Sequence, residues 1–106
     1  MTKITQVENS KQIIVDIKRK KLDVSNMKAL KDDILKVIGE ENHHLIINLK
    51  EVEFIDSSGL SVLISVFKHL KTLEGSLELS ALNEQPIELL EITQLDKIFT
   101  ITEASN

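Results

Sequence analysis

The chain has 106 residues, 42% of them hydrophobic and 28% charged, which is enough for one hydrophobic core but not for two. We therefore expect residues 1–106 to form a single domain. The net charge of −4 argues against direct binding to nucleic acid or to an anionic membrane. The chain has no cysteine and no apolar run long enough for a membrane span or a signal peptide, so a cytoplasmic protein is expected.

Two strands are predicted at the start of the chain. Thr2–Val7 is an edge-strand candidate that ends at the turn-like Glu8-Asn9-Ser10. Gln12–Lys18 shows the alternation of apolar and polar residues that is typical of a strand. The basic run Lys18-Arg19-Lys20-Lys21 follows, and it is either a solvated strand end or a docking patch for an acidic partner.

The segment Leu22-Asp23-Val24-Ser25 leads into a first predicted helix, with Ser25 as its candidate cap and Gly39 as its stop. Its apolar face comprises Met27, Leu30, Ile34, Val37 and Ile38. The following loop, Glu40–His44, contains acidic residues and two histidines. Adjacent residues of a loop point in different directions, and no further ligands are spaced to complete a coordination sphere, so we predict no metal site.

The stretch Phe54-Ile55-Asp56-Ser57-Ser58-Gly59-Leu60 lies between a predicted strand and a predicted helix. Before it, Leu45–Leu49 is a short apolar run suited to a buried strand. From Leu60 to Leu73, apolar residues recur with the period of an amphipathic helix. The aspartate and two serines therefore stand where unpaired backbone N–H groups and the helix dipole favour a negative charge. Any of the three could instead merely cap the helix.

A helical projection distinguishes the two serines. Ser58 falls on the polar side of the helix together with Ser61, Ser65 and Lys68, whereas Ser57 projects near the edge of the apolar arc. The projection therefore predicts that Ser58 is the exposed hydroxyl and that Ser57 is partly covered.

The last third of the chain predicts a strand, a helix and a short terminal strand. Leu77–Ala81 alternates like a half-exposed strand, Pro86 suits the first turn of a helix, and Ile98–Ile101 closes the apolar pattern. The order is thus β-β-α-β-α-β-α with a short terminal strand. Repeated β-α-β units require parallel strands, and the two leading strands can pair through a tight turn, so we predict an α/β fold with a mixed sheet and helices packed mainly on one side.

The sequence Ile55-Asp56-Ser57-Ser58-Gly59-Leu60, with its preceding strand and following helix, resembles the signature of the STAS domain, and more narrowly that of the bacterial anti-sigma factor antagonists. Ile92–Phe99 resembles the closing helix-to-strand segment of that family, so the likeness covers nearly the whole chain. The chain departs from the family in two places. Gln94 stands where many members have glycine, and Lys20 or Lys21 stands where many have the glycine of a Gly-x-Leu-Asp turn.

The resemblance implies a phosphorylation-switched binding module. In that family the serine before the Gly-Leu pair, here Ser58, is phosphorylated by the anti-sigma factor, a serine kinase with a histidine-kinase-like ATP fold. The unmodified protein binds that kinase and frees a sigma factor, phosphorylation ends the binding, and a metal-dependent serine phosphatase restores it. ATP and Mg²⁺ belong to the kinase, so no cofactor is expected here.

The resemblance also places Asp23 beside the phosphoserine as part of the partner surface, although Asp23 could equally be a turn or capping residue. The expected partner-binding residues are Asp23, Asp56, Ser57, Ser58, Gly59, Ser61 and Ser65.

The sequence argues against an enzyme. Ser58 is not in a G-x-S-x-G elbow, and His69 lies about 16 Å from it along the helix, too far to act as its base. Two other functions stay open. One is a structural STAS subunit of a lipid-transport or stress-sensing assembly, and the other is a sensor that binds an anion or nucleotide at the same helix N-terminus.

Overall fold

The computed structural model of the protein describes residues 2–7, 12–25, 27–38 and 44–102. The predicted turn at Glu8–Ser10, the helix stop at Gly39 and the loop up to His43 lie outside these residues. The elements in chain order are strands β1 (Thr2–Val7), β2 (Gln12–Ile17) and β3 (Lys21–Leu22), helix α1 (Met27–Val37), strands β4 (His44–Asn48) and β5 (Phe54–Ile55), helix α2 (Ser57–Thr72), strand β6 (Ser76–Ser80), helix α3 (Glu84–Ile92), a 3₁₀ turn (Leu95–Lys97) and strand β7 (Thr100–Thr102).

The main sheet has five strands in the order β1-β2-β4-β6-β7. The first pair, β1 and β2, is antiparallel, and every later pair is parallel. Parallel neighbours need crossover connections, and helices α1 and α2 supply them between β2, β4 and β6. The predicted mixed sheet and the predicted order of elements are confirmed.

One face of this sheet is buried and the other is half exposed. Along β2, β4 and β6, buried residues alternate with residues that are partly exposed on the other face. Ile47 and Leu79 are buried, for example, whereas their neighbours Ile46 and Glu78 are half-buried. The buried face packs against the apolar side of α2, which includes Leu63, Val66 and Leu70. This asymmetry confirms that the helices cover mainly one side. No helix in the described ranges is long and apolar enough to cross a membrane.

Helix α1 buries part of its predicted apolar face, because Leu30 and Ile34 belong to the core, as does Ile38, which directly follows the helix. Met27 is half-buried and packs against the same core. The burial of Val37 falls outside what the structure describes.

A second, two-stranded sheet was not predicted. Strands β3 and β5 pair in parallel, with Lys21 opposite Phe54 and Leu22 opposite Ile55. Two-residue strands are too short to produce a periodic sequence pattern, so their pairing can be seen only in three dimensions. This small sheet leads directly into the start of α2.

The lysines at positions 20 and 21 fit their backbone without strain. Among the described residues, the non-glycine residues with positive φ are Glu74, Ala81 and Gln94, so neither lysine needs the conformational freedom of glycine. The Lys20 carbonyl accepts hydrogen bonds from the N–H groups of Glu53 (2.7 Å) and Phe54 (3.1 Å). The lysines at these positions are therefore compatible with the backbone that leads into the small sheet.

Gln94 is different, because its φ of 62° and ψ of 17° lie in the left-handed region. That conformation costs an L-residue about 1–2 kcal/mol relative to glycine. Glycine loses more backbone entropy on folding, which offsets part of this difference. We expect Gln94→Gly to raise the free energy of unfolding by about 0.5–1 kcal/mol. Urea denaturation measures this, with Gln94→Ala as the control that keeps the strain. A glycine variant no more stable than the alanine variant would contradict the expectation.

Candidate functional site

The site is built at the N-terminus of α2, and Asp56 is its cap. Asp56 has extended backbone angles (φ −98°, ψ −175°), and its carboxylate accepts a hydrogen bond from the Gly59 N–H at 3.0 Å. Its carbonyl accepts the first bond of the helix, from Leu60 N–H at 2.9 Å. Such a cap stabilises a helix by about 1 kcal/mol. Of the three candidate capping residues, the structure therefore identifies Asp56 and leaves the serine hydroxyls at the first helical positions.

Gly59 lets the first turn of α2 lie against strand β3. A Cβ atom built on Gly59 would lie 2.5 Å from the carbonyl oxygen of Leu22 and 2.7 Å from its Cβ. The same carbonyl accepts a hydrogen bond from the Asp56 N–H at 3.1 Å. Only a residue without a side chain can occupy position 59 at this separation, so the glycine holds the helix start and the β3 segment together.

The exposure of the two serines is the reverse of the prediction. Ser57 is exposed and Ser58 is half-buried. The helical projection was wrong here because it counts only the sheet side as covered. The β3 segment, in contact with Gly59, provides a second wall beside this turn. Both serines keep some exposure to solvent, and Ser61, which is exposed, donates its hydroxyl to the Ser57 carbonyl at 2.9 Å.

Asp23 has a local role in the turn between β3 and α1. Its carboxylate accepts hydrogen bonds from the Ser25 hydroxyl (2.6 Å) and the Ser25 N–H (3.0 Å). Both bonds hold the pKa of Asp23 below its ordinary value, and the bond from the hydroxyl has the larger effect. The positive charges of Lys21 and Arg19 act in the same direction. Asp23 directly follows Leu22, which touches Gly59, so chain connectivity keeps it beside the start of α2. Its part in a partner surface stays a prediction.

Gln85 and Asn83 support the site, and sequence reasoning missed both. The Gln85 side chain pairs with Ile55 like a strand neighbour, since its Oε1 accepts from the Ile55 N–H (2.9 Å) and its Nε2 donates to the Ile55 carbonyl (3.0 Å). The Asn83 amide donates to the carbonyls of Lys50 (2.9 Å) and Val52 (2.8 Å). These contacts join residues about 30 positions apart, so no local pattern in the sequence could have indicated them.

The basic run Lys18–Lys21 leads from the end of β2 into strand β3. The Lys18 ammonium pairs with the Glu51 carboxylate at 2.8 Å. Their hydrogen bond raises the pKa of Lys18 and lowers the pKa of Glu51. Both side chains are about half exposed, so the pair contributes little to stability. Its effect is to tie the end of β2 to the loop that precedes β5.

The described histidines do not lie at the serines. His44 begins β4 at the edge of the sheet opposite to its carboxyl end, and its Nδ1 is 2.8 Å from the Ser76 hydroxyl. His69 lies on the same helix as Ser58, about 16 Å along its axis. His43 is outside the described residues. Within the described ranges the two serines therefore have no histidine that could act as a base.

Comparison with known sequences agrees with this geometry. A protein-family model described as the STAS domain matches residues 3–106. An anti-sigma-B factor antagonist from Bacillus subtilis strain 168 is 36% identical over 98 residues, covering 92% of this chain and 88% of that protein.

Comparison with solved structures gives the same fold. The crystal structure of an anti-sigma factor antagonist from Mycobacterium paratuberculosis has a TM-score of 0.81 at 24% identity, covering 96% of this chain and 84% of that one. The Bacillus cell fate determinant SpoIIAA, in its phosphorylated form, has a TM-score of 0.77 at 15% identity, covering 100% of this chain and 93% of that one. At these identities the likeness concerns the fold alone.

Proposed function

Because the chain belongs to the STAS domain family, among the anti-sigma factor antagonists, we propose that it binds an anti-sigma factor while Ser58 is unmodified and releases it once Ser58 carries a phosphate. The observation that carries this proposal is the start of α2. There a capped and closely packed helix end carries an exposed serine, Ser57, and a half-buried one, Ser58. The relatives favour this function over a structural subunit or a small-molecule sensor.

Ser58 is proposed as the phosphorylated residue because it stands immediately before the Gly-Leu pair, as the family motif requires. Exposure alone would favour Ser57, the more open of the two. A half-buried Ser58 suits a switch, because a phosphate there would lie within the surface that a partner covers rather than at its margin.

The surface around the serines combines polar and apolar groups. Val24, which follows Asp23, is 73% exposed, and Phe54, two residues before the cap, is 42% exposed. Both residues are near the site in sequence, and a partner that covered them would bury apolar surface, which favours binding. A phosphate adds about −1.5 to −2 charges, and desolvating a dianion against a fitted apolar patch is unfavourable.

The proposed partner is the anti-sigma factor, acting as a serine kinase with a histidine-kinase-like ATP fold. A metal-dependent serine phosphatase would reset the switch, and both reactions would take place in the cytoplasm. The proposed contact residues are Asp23, Asp56, Ser57, Ser58, Gly59, Ser61 and Ser65. In this scheme the protein is the substrate of both enzymes and catalyses neither reaction.

The direct test is incubation with candidate kinases from the source genome and ATP, followed by intact-mass measurement and phosphopeptide mapping. We expect the addition of one phosphate, on Ser58, and none on the Ser58→Ala variant. Mapping that placed the phosphate on Ser57, Ser61 or Ser65 would overturn the assignment.

A second test concerns the extent of the partner surface. Ser61→Arg should weaken binding of the kinase about tenfold or more, because it places a long charged side chain one turn beyond Ser57. Thr72→Arg is a matched control at the far end of the same helix, where the Thr72 hydroxyl donates to the His69 carbonyl at 2.6 Å. Calorimetric titration measures both affinities. Equal affinity for the two variants would place the interface elsewhere.

A further inference from the structure

A cavity of about 440 Å³ opens at the carboxyl ends of three parallel strands of the main sheet. Lys50 follows β4, the segment from Ala81 to Asn83 follows β6, and Thr102 ends β7. Ligands of open α/β sheets bind in the crevice outside the carboxyl ends of the strands. The volume is also within the range of about 300–1,000 Å³ that is usual for small-molecule sites.

The walls of the cavity are largely apolar. Leu82, Ile87 and Ile101 line it. Ile87 of α3 is 37% exposed, and Ile101 of β7 is 36% exposed. An apolar ligand in the cavity would cover side chains that the fold leaves open to water, which favours its binding.

Lys50 is the one charged residue among those that line the cavity. Lys50 also acts electrostatically on the neighbouring Glu51, whose carboxylate pairs with Lys18. The other polar side chains are also engaged, because the Asn83 amide donates to two backbone carbonyls and the Thr102 hydroxyl donates to Glu78 at 3.2 Å. The lining therefore combines one cationic residue with largely apolar walls.

The cavity is preformed and includes a strained backbone position. Ala81 has a φ of 59°, in the left-handed region that a residue with a Cβ rarely adopts, and its N–H donates to the Thr102 carbonyl at 3.1 Å. Strain of this kind persists where the surrounding structure holds it, and it concentrates at ligand sites. The two bonds from Asn83 fix the opposite wall to the segment from Lys50 to Val52.

We propose that this cavity binds an amphipathic organic anion, a carboxylate on an aliphatic chain. The carboxylate pairs with the Lys50 ammonium, and the chain lies against Leu82, Ile87 and Ile101. The serines of α2 do not line this cavity.

The test uses sodium octanoate as the probe and the full chain as the sample, followed by amide and isoleucine-methyl NMR spectra. We expect saturable shifts at Leu82, Asn83, Ile87 and Ile101 below about 10 mM, a concentration that nearly fills a site with a Kd of about 1 mM. Acetate has the charge without the chain and octanol has the chain without the charge, so each should bind about tenfold more weakly or worse. No saturable shift at these residues, or equal binding of acetate, would overturn the proposal.

Single substitutions distinguish the contribution of the Lys50 charge from that of the apolar walls. Lys50→Met should weaken octanoate about tenfold and leave octanol unchanged, while Ile101→Ser should weaken both. Lys68→Met is the matched control, because Lys68 is an exposed lysine of α2 and does not line the cavity. Octanoate that binds Lys50→Met as tightly as it binds the unmodified protein would refute the role of the lysine. Circular dichroism confirms that each variant is folded.

Discussion

Phosphorylation of Ser58 is expected to lower the affinity for the anti-sigma factor about a thousandfold, which corresponds to about 4 kcal/mol. The physical reason is the desolvation of a dianion within a surface that includes exposed Val24 and Phe54. Ser58→Asp adds a single negative charge and should weaken binding about a hundredfold, or about 2.7 kcal/mol. Ser58→Ala should bind like the unmodified protein and accept no phosphate. Calorimetry measures all three affinities.

The loss of binding should occur without a change of fold. The apolar side of α2 packs against the sheet through buried residues such as Leu63 and Leu70. Exposing each of these side chains would cost about 1.5–3 kcal/mol. A negative charge at the helix N-terminus is itself favourable by about 0.3–1 kcal/mol. Amide NMR shifts in Ser58→Asp should therefore be concentrated in Leu22–Met27 and Val52–Val62. Normal binding by the Asp variant, or shifts throughout Leu77–Ala81, would contradict a local switch.

Gly59→Ala is expected to destabilise the protein by about 1–3 kcal/mol, despite the better helix propensity of alanine. The added Cβ would lie 2.5 Å from the Leu22 carbonyl oxygen and 2.7 Å from the Leu22 Cβ. Neither atom is the end of a flexible side chain. Relief therefore requires the helix or β3 to shift, which also strains the bond from the Asp56 N–H to Leu22. Urea denaturation should show a lower midpoint with an unchanged slope.

The matched control for that variant is Ser57→Ala, two residues earlier on the same turn. Ser57 is exposed, so its truncation should change the free energy of unfolding by less than about 0.5 kcal/mol. If Gly59→Ala proved as stable as Ser57→Ala, that result would contradict the close contact between Gly59 and Leu22.

Hydrophobic periodicity alone was enough to place the large elements. The alternation in β2 and β6 and the helical spacing from Leu60 to Leu73 are local properties, and the structure reproduces both to within a few residues. The mixed sheet followed from the order of these elements, because parallel strands require crossovers. The position of the candidate site at the start of α2 followed in the same way, from a strand that ends and a helix that begins.

Other features of the site came from contacts between distant parts of the chain. The pairing of β3 with β5, the contact of Gly59 with Leu22 and the two bonds from Gln85 to Ile55 each join segments about 30 residues apart or more. The cavity beside Lys50 likewise combines the segments that follow β4 and β6 with the end of β7. The exposure of Ser57 and Ser58 was predicted in reverse order for the same reason. A residue's accessibility depends on every segment that packs near it, whereas a helical projection contains only its own helix.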